Sequence, residues 1–167
     1  SFILTDKPRS ILEIEGAKDI CIELNSMSKS HNMAGWRMGM LASNEQFVNW
    51  VLRVKSNVDS GQFRAMQMAA IKALEAPMQW HDNMNLLYEQ RRIWAFKIMT
   101  LLGCKFNENQ VGLFVWAKIP AYETGSKELI DDILTHAHVF ITPGAIFGSN
   151  GERYIRISLG SPAAKIK

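Results

Sequence analysis

A chain of 167 residues, 47% hydrophobic and with a formal net charge of +3, can bury the core of one domain, or of a domain plus a piece of another, and is too apolar to be disordered. It is mildly basic, with no Lys/Arg run longer than Arg91-Arg92, which argues against nucleic acid as a partner; no stretch approaches the ~20 apolar residues of a membrane span. Cys21 and Cys104 stand alone and far apart, which fits two reduced thiols in a cytoplasmic setting better than a disulfide framework or a zinc site.

In chain order, the apolar run Ile20 to Leu24 predicts a strand and Met38 to Ala42 a second one. Asn44 is a candidate cap for a helix to about Lys55, with Phe47, Val48, Val51, Leu52 and Val54 near one face. Val58 to Gly61 reads as a turn, and a helix from Gln62 to Leu74 is expected to bury Phe63, Met66, Ala70 and Leu74. Pro77 opens a long helix to about Leu102, with Leu87, Trp94, Ile98 and Leu101 at helical spacing and Gly103 as its stop. Beyond it, Leu113 to Ile119 predicts a strand closed by Pro120, and Ser126 caps a helix to about His136. Val139 to Ile141 and Tyr154 to Leu159 predict two more strands around a glycine-rich loop from Pro143 to Gly151. This mixture implies an α/β class, with two parts meeting inside the long helix: 1–80 and 81–167. The chain begins at Ser1 rather than Met and ends at Ser161 to Lys167 as if a helix were starting, so both ends are expected to be cut.

The chemistry concentrates in Ser26-Met27-Ser28-Lys29-Ser30-His31-Asn32-Met33-Ala34-Gly35-Trp36-Arg37-Met38-Gly39. A nucleophilic lysine needs a target, an anion cradle nearby and backbone room. Ser26 and Ser28 offer hydroxyl donors, Arg37 offers a fork for an anion, and Gly35 and Gly39 allow close backbone approach. The pattern S-x-S-K-x-x-x-x-x-G-x-R-x-G resembles the cofactor-lysine signature of the fold-type I pyridoxal-phosphate (PLP) aminotransferases of class I/II, the branch with aspartate, aromatic and LL-diaminopimelate aminotransferases. The resemblance implies that Lys29 forms the Schiff base with PLP and shuttles the substrate proton, that Ser26 and Arg37 bind the PLP phosphate, and that Ser28 supports them. The family carries a similar C-terminal strand whose arginine forks onto the substrate α-carboxylate; Arg156 in Tyr154-Ile155-Arg156-Ile157-Ser158 matches it. Arg153 competes for that role, and pairing of Arg156 with Glu152 is the plainer alternative. The loop Thr142-Pro143-Gly144-Ala145-Ile146-Phe147-Gly148 resembles a family segment beside the substrate side chain, so Phe147 is expected in the pocket or else in the core.

The resemblance covers nearly the whole chain, but only the C-terminal portion of the PLP-dependent transferase fold: the end of the large-domain sheet and the small α+β domain. The acid for the pyridine nitrogen, the stacking ring and the Asn and Tyr that contact the ring oxygen lie upstream of the lysine in relatives. The expected full-length protein is therefore a ping-pong aminotransferase acting on amino acids and 2-oxo acids as a homodimer, with this fragment inactive alone. A C–S β-lyase or synthase of the same fold, or the aminotransferase-like domain of a transcription regulator, are the alternatives. Asn57 to Phe63 resembles a segment that approaches the partner subunit's cofactor, although an ordinary turn explains it too. His136 and His138 form an H-x-H pair without a third ligand, so no metal is expected. His31 lies two positions from Lys29, near enough to sense the cofactor, although the family tolerates many residues there; His81 carries no motif.

Overall fold

The computed structural model describes residues 9–166; Ser1 and Lys167, the ends of the sequence reading, lie outside them. Two compact units divide the chain, one up to His81 and one from Asp82 on.

The first unit is built on a two-stranded antiparallel ribbon. Strand β1 (Glu23–Ser26) pairs with β2 (Gly39–Ala42) in the register Glu23↔Ala42 to Ser26↔Gly39. The predicted strand at Ile20 begins three residues late, because Ala17–Ile20 form a short helix, α1. Gly16 opens it at φ +77°, and the chain beyond β2 satisfies its end. Ser43 Oγ donates to the Cys21 carbonyl at 2.6 Å, and Asn44 Nδ2 donates to the carbonyls of Lys18 and Asp19 at 3.3 and 3.1 Å. These acceptors would otherwise be orphaned at a helix C-terminus. The same Asn44 accepts from Phe47 N–H at 2.9 Å, capping helix α3 (Glu45–Val58) as predicted. Helix α3 buries none of its residues fully: Phe47, Val48 and Val51 are half-buried, while Leu52 and Val54, expected inside, are exposed.

Between the strands lie one turn of helix, α2 (Met27–Ser30), and a 3-10 turn, Ala34–Trp36. Both rest on a core of Met27, Met33, Met38 and Ala70, with Met66, Ala69 and Ala73 packed against it. The last four belong to α4 (Arg64–Leu74). Their spacing of three and four residues puts them on one face. Phe63 and Leu74, expected on that face, are 72% and 54% exposed. Alanines take their place because they let the α4 backbone come close, while the unbranched methionines fill what is left. A fully buried Met side chain such as Met27 contributes about 1.5–3 kcal/mol.

One pH-sensitive tie holds this unit's N-terminal segment. Ser10 Oγ donates to the Glu23 carboxylate at 2.6 Å and Ile11 N–H at 2.9 Å. The Ser10 hydrogen bond, more than any other contact, holds the Glu23 carboxyl below its usual value. A depressed carboxyl stabilises the fold above the unfolded pKa, and that contribution disappears as pH falls through the folded value. Amide exchange at Ile11 and Leu12 should therefore accelerate below the ordinary carboxylate range, at about pH 4 and lower, and Glu23→Gln should remove this step. Hydrogen–deuterium exchange, corrected for intrinsic rates, would show no such step if the tie did not form in solution.

Helix α5 (Met78–Leu101) ends at Gly103, whose φ is +67°. Its buried residues are Tyr88, Ala95 and Met99, whereas Leu101, expected inside, is 87% exposed. Apolar side chains occur all round this helix, so spacing alone selects no single face. Arg91 and Arg92 fasten it by donating to the carbonyls of Leu159 (2.9 Å) and Gln110 (2.8 Å).

The second unit holds an antiparallel sheet in the order β3-β5-β4, made of β3 (Phe114–Lys118), β4 (Thr142–Pro143) and β5 (Tyr154–Ser158). Strand β5 is central, with Arg156 opposite Trp116 on one side and Thr142 on the other. Val115, Ala117, Ile155 and Ile157 are buried, so the two-residue strand period turns Phe114, Trp116 and Arg156 to the opposite face. Gln110 covers the outer edge of β3 by accepting from Trp116 N–H (2.7 Å) and donating to its carbonyl (2.9 Å). Helix α6 (Ser126–Ala137) starts at the predicted cap residue itself, and Gly125, one residue earlier, is its N-cap. The Glu128 carboxylate occupies the space a side chain at Gly125 would take, and Ser126 is buried with its hydroxyl unpaired. The strand predicted at Val139 to Ile141 is instead a connection. His138, at φ +56°, donates to the Leu134 carbonyl, ends α6 and turns the chain, so pairing begins only at Thr142. A last short helix, α7, covers Ala163–Ile166.

Candidate functional site

Lys29 sits on α2, directly after β1. Ser26 is both the last residue of β1 and the N-cap of α2, and its Oγ accepts from Ser28 N–H at 3.2 Å. That bond uses a lone pair and leaves the Ser26 O–H free to donate. Ser30 Oγ donates to the Ser26 carbonyl at 3.3 Å and lies 2.8 Å from His31 Nδ1. Lys29 is exposed, and among the described residues its ammonium has neither hydrogen bond nor ion pair. It lines a cleft of about 530 Å³ with Ser26, Asn25, Glu23, Arg9 and His31. Within the same unit, His31 stacks on Trp80 (centroids 6.0 Å apart, planes at 13°) and meets His81 edge-on at 5.1 Å. Burial, and secondarily His81, pushes the His31 pKa down, so this ring favours its neutral form beside Lys29.

Ser28 and Arg37 do not line that cleft; the strand register brings the backbone just after Arg37 beside the start of α2. Ser26 faces Gly39, and Met27 N–H continues the ladder to the Met38 carbonyl at 3.1 Å. Arg37 itself is in the left-handed region, at φ 51°, and its Nη1 donates to the Ala34 carbonyl at 3.1 Å. Of the two glycines expected to permit close backbone approach, Gly39 does so: a Cβ there would lie 2.7 Å from the Asn25 carbonyl oxygen. Gly35 does not, since a Cβ there meets open space. The donor set suits a phosphorylated aldehyde. Serine hydroxyls and a guanidinium with donors to spare serve a dianion, and an unpaired primary amine serves a carbonyl carbon.

Arg156 has a different environment. Its guanidinium carbon lies 4.2 Å from the ring centroid of Phe114 and 4.2 Å from that of Phe147. Its Nε is buried without a partner, and among the described residues it pairs with no acid, Glu152 included. Arg153 is engaged elsewhere: its Nη1 donates to the carbonyls of Glu123 and Thr124 (2.6 and 3.2 Å) and its Nη2 to that of Pro120 (2.5 Å). Phe147 ends a 3-10 turn, Gly144–Phe147, and meets Trp116 edge-on at 5.3 Å. Phe114 and Trp116 carry no motif, and only the pairing of β3 with β5 reveals them. His136 lies 3.1 Å from Asp132 in the last turn of α6, and among the described residues no group of three metal-ligating side chains gathers. Of the segment Asn57 to Phe63, Asn57 and Val58 end α3 and residues 59–63 connect it to α4, with an ion pair from Lys55 to Asp59 at 2.7 Å. No helix among the described residues is long and apolar enough to cross a membrane.

Comparison with known proteins places the chain in a family. A family model described as aminotransferase class I and II matches residues 2–167. The chain is 42% identical over 154 residues to an LL-diaminopimelate aminotransferase of Nitratidesulfovibrio vulgaris, covering 92% of this chain and 40% of the relative. It is 39% identical over 162 residues to transaminase BacF of Bacillus subtilis, covering 96% and 41%. A solved structure of apo-BacF superposes with a TM-score of 0.88 at 37% identity, covering 99% of this chain and 42% of that one. The chain thus spans about 40% of the length of the curated relatives it matches.

Proposed function

Because the chain belongs to the aminotransferase class I and II family, we propose that the protein it forms part of is a PLP-dependent aminotransferase that moves an amino group between an amino acid and a 2-oxo acid in ping-pong fashion. The observation that carries this reading is the unpaired Lys29 amine in a cleft shared with the Ser26 hydroxyl. PLP, when bound, supplies an electron sink for the charge left as the substrate α-C–H bond breaks. The residues of this chain would supply part of what remains. The Ser26 and Ser28 hydroxyls and the Arg37 fork would hold the phosphate, and Lys29 Nζ would hold the cofactor's aldehyde carbon. The same Nζ, in its uncharged form, would accept the substrate α-proton. Arg156 would hold the substrate α-carboxylate with its guanidinium fork. The neutral His31 adds no second cation beside the ammonium.

The names of the relatives make LL-diaminopimelate the first amino donor to assay. A homodimer in the cytoplasm fits the family, and the exposed Phe63, in the segment that resembles an inter-subunit contact, supports an interface there. The half-reaction tests the activity directly. Full-length, PLP-loaded protein mixed with an amino acid and no oxo acid should convert its cofactor to the pyridoxamine form and release one equivalent of 2-oxo acid. Release of ammonia with the cofactor still in its aldehyde form would assign a lyase instead.

A further inference from the structure

An arginine that must present its fork in one orientation is usually steered by acceptors on its own nitrogens. Arg156 has none among the described residues. What it has are two aromatic rings, Phe114 and Phe147, each 4.2 Å from the guanidinium carbon. Rings at that distance attract the cation through their faces and cover the flat sides of the guanidinium. Its Nε is shielded as well, so the terminal nitrogens form the edge left for an anion. A planar carboxylate entering in the guanidinium plane can then take two parallel hydrogen bonds.

The rings are held by the fold rather than by chance packing. Phe114 stands opposite Ser158, and Trp116 stands opposite Arg156. Phe114 is therefore the diagonal neighbour of Arg156 on the same face of the sheet, within reach of a long side chain. Phe147 arrives from the Gly144–Phe147 turn, and its edge-on contact with Trp116 at 5.3 Å supports it from behind.

We propose that Phe114 and Phe147 are positioning residues that hold Arg156 flat for an incoming carboxylate, with Trp116 as the buttress of Phe147. This rests on the reading that Arg156 receives the substrate carboxylate. It also moves Phe147 from contact with the substrate side chain to control of the arginine.

The test uses the full-length, PLP-loaded protein with Phe114→Leu, Phe147→Leu, the two Phe→Tyr changes and Arg156→Gln. Leucine keeps most of the volume and removes the ring face; tyrosine keeps the face. The leucine variants should raise KM for both the amino acid and the oxo acid by about 10-fold. They should leave kcat within a few fold and PLP affinity unchanged, and the tyrosine variants should restore KM. A merely structural role would lower PLP retention and kcat together and would not be rescued by ring chemistry. Wild-type KM in both leucine variants, with a raised KM in Arg156→Gln, overturns the clamp and leaves the carboxylate role standing. An unchanged KM in Arg156→Gln overturns the carboxylate role and the clamp with it. If Phe114→Leu fails to fold by circular dichroism, Phe147→Leu decides alone, since Phe147 is 49% exposed and its loss is tolerable.

Discussion

Replacing Lys29 by alanine in the full-length protein is expected to lower kcat by on the order of 10⁴-fold while leaving the fold unchanged. Two functions would leave with one amine: attachment of the cofactor and transfer of the α-proton. Nothing structural should leave with it. The Lys29 ammonium has no partner among the described residues, and the core below it is made by Met27, Met33 and Met38. The measurement is a pair. Borohydride treatment of the wild type followed by peptide mapping should place the reduced cofactor on Lys29, and the variant should show no such adduct at an unaltered melting temperature. A small exogenous amine should restore part of the turnover, because it replaces the proton acceptor. Turnover within tenfold of wild type in Lys29→Ala would remove this lysine from the chemistry.

A large structural effect is expected at Gly144. A Cβ there would lie 2.6 Å from the Tyr154 carbonyl oxygen and closer still to that of Gly151. Both are backbone atoms, so no side chain can turn aside to relieve the clash. Gly144→Ala must push apart the loop and the first residue of β5. Overpacking of this kind costs about 1–3 kcal/mol or more, which should lower the apparent melting temperature by roughly 5 °C. The consequence for the site is separate. Gly144 begins the turn that ends at Phe147, so displacing it withdraws one ring from Arg156 and should raise KM for carboxylate substrates as Phe147→Leu does. Gly35→Ala is the matched control, since a Cβ there meets nothing within 4 Å. A Gly144→Ala protein with wild-type melting and KM would mean that the loop packs differently in solution.

The sequence was most legible where one residue type has one physical use. Asn44 caps α3, Gly103 stops α5, and β1 and β2 flank the lysine turn, because caps, stops and short apolar runs signal locally. It was less legible where burial depends on distant partners. On α5 the spaced residues Leu87, Trp94 and Ile98 are half-buried and Leu101 is exposed, while Tyr88, Ala95 and Met99 are buried, because apolar residues surround the helix and packing that spacing does not encode decides among them. Phe63 and Leu74 have the spacing of inward residues yet are exposed, because periodicity reports an apolar stripe and not what covers it. The same limit hid Phe114. It lies far from Arg156 along the chain, and only the antiparallel register of β3 with β5 makes the two neighbours. Lys29, Ser26, Ser28, Arg37 and Arg156 were named from a motif, but the motif said nothing of how each is held. Arg156 turns out to be held by rings, and Ser26 to spend one lone pair as a helix cap.

Arg37 sits in the left-handed region, at φ 51°, where a residue with a Cβ is strained by roughly 1–2 kcal/mol relative to glycine. Selection for stability alone would favour glycine or asparagine at this position, and either would erase the proposed phosphate fork. A stabilisation campaign that ranks substitutions by folding energy would therefore nominate this arginine early, and each success by its own score would be a protein without the proposed phosphate fork.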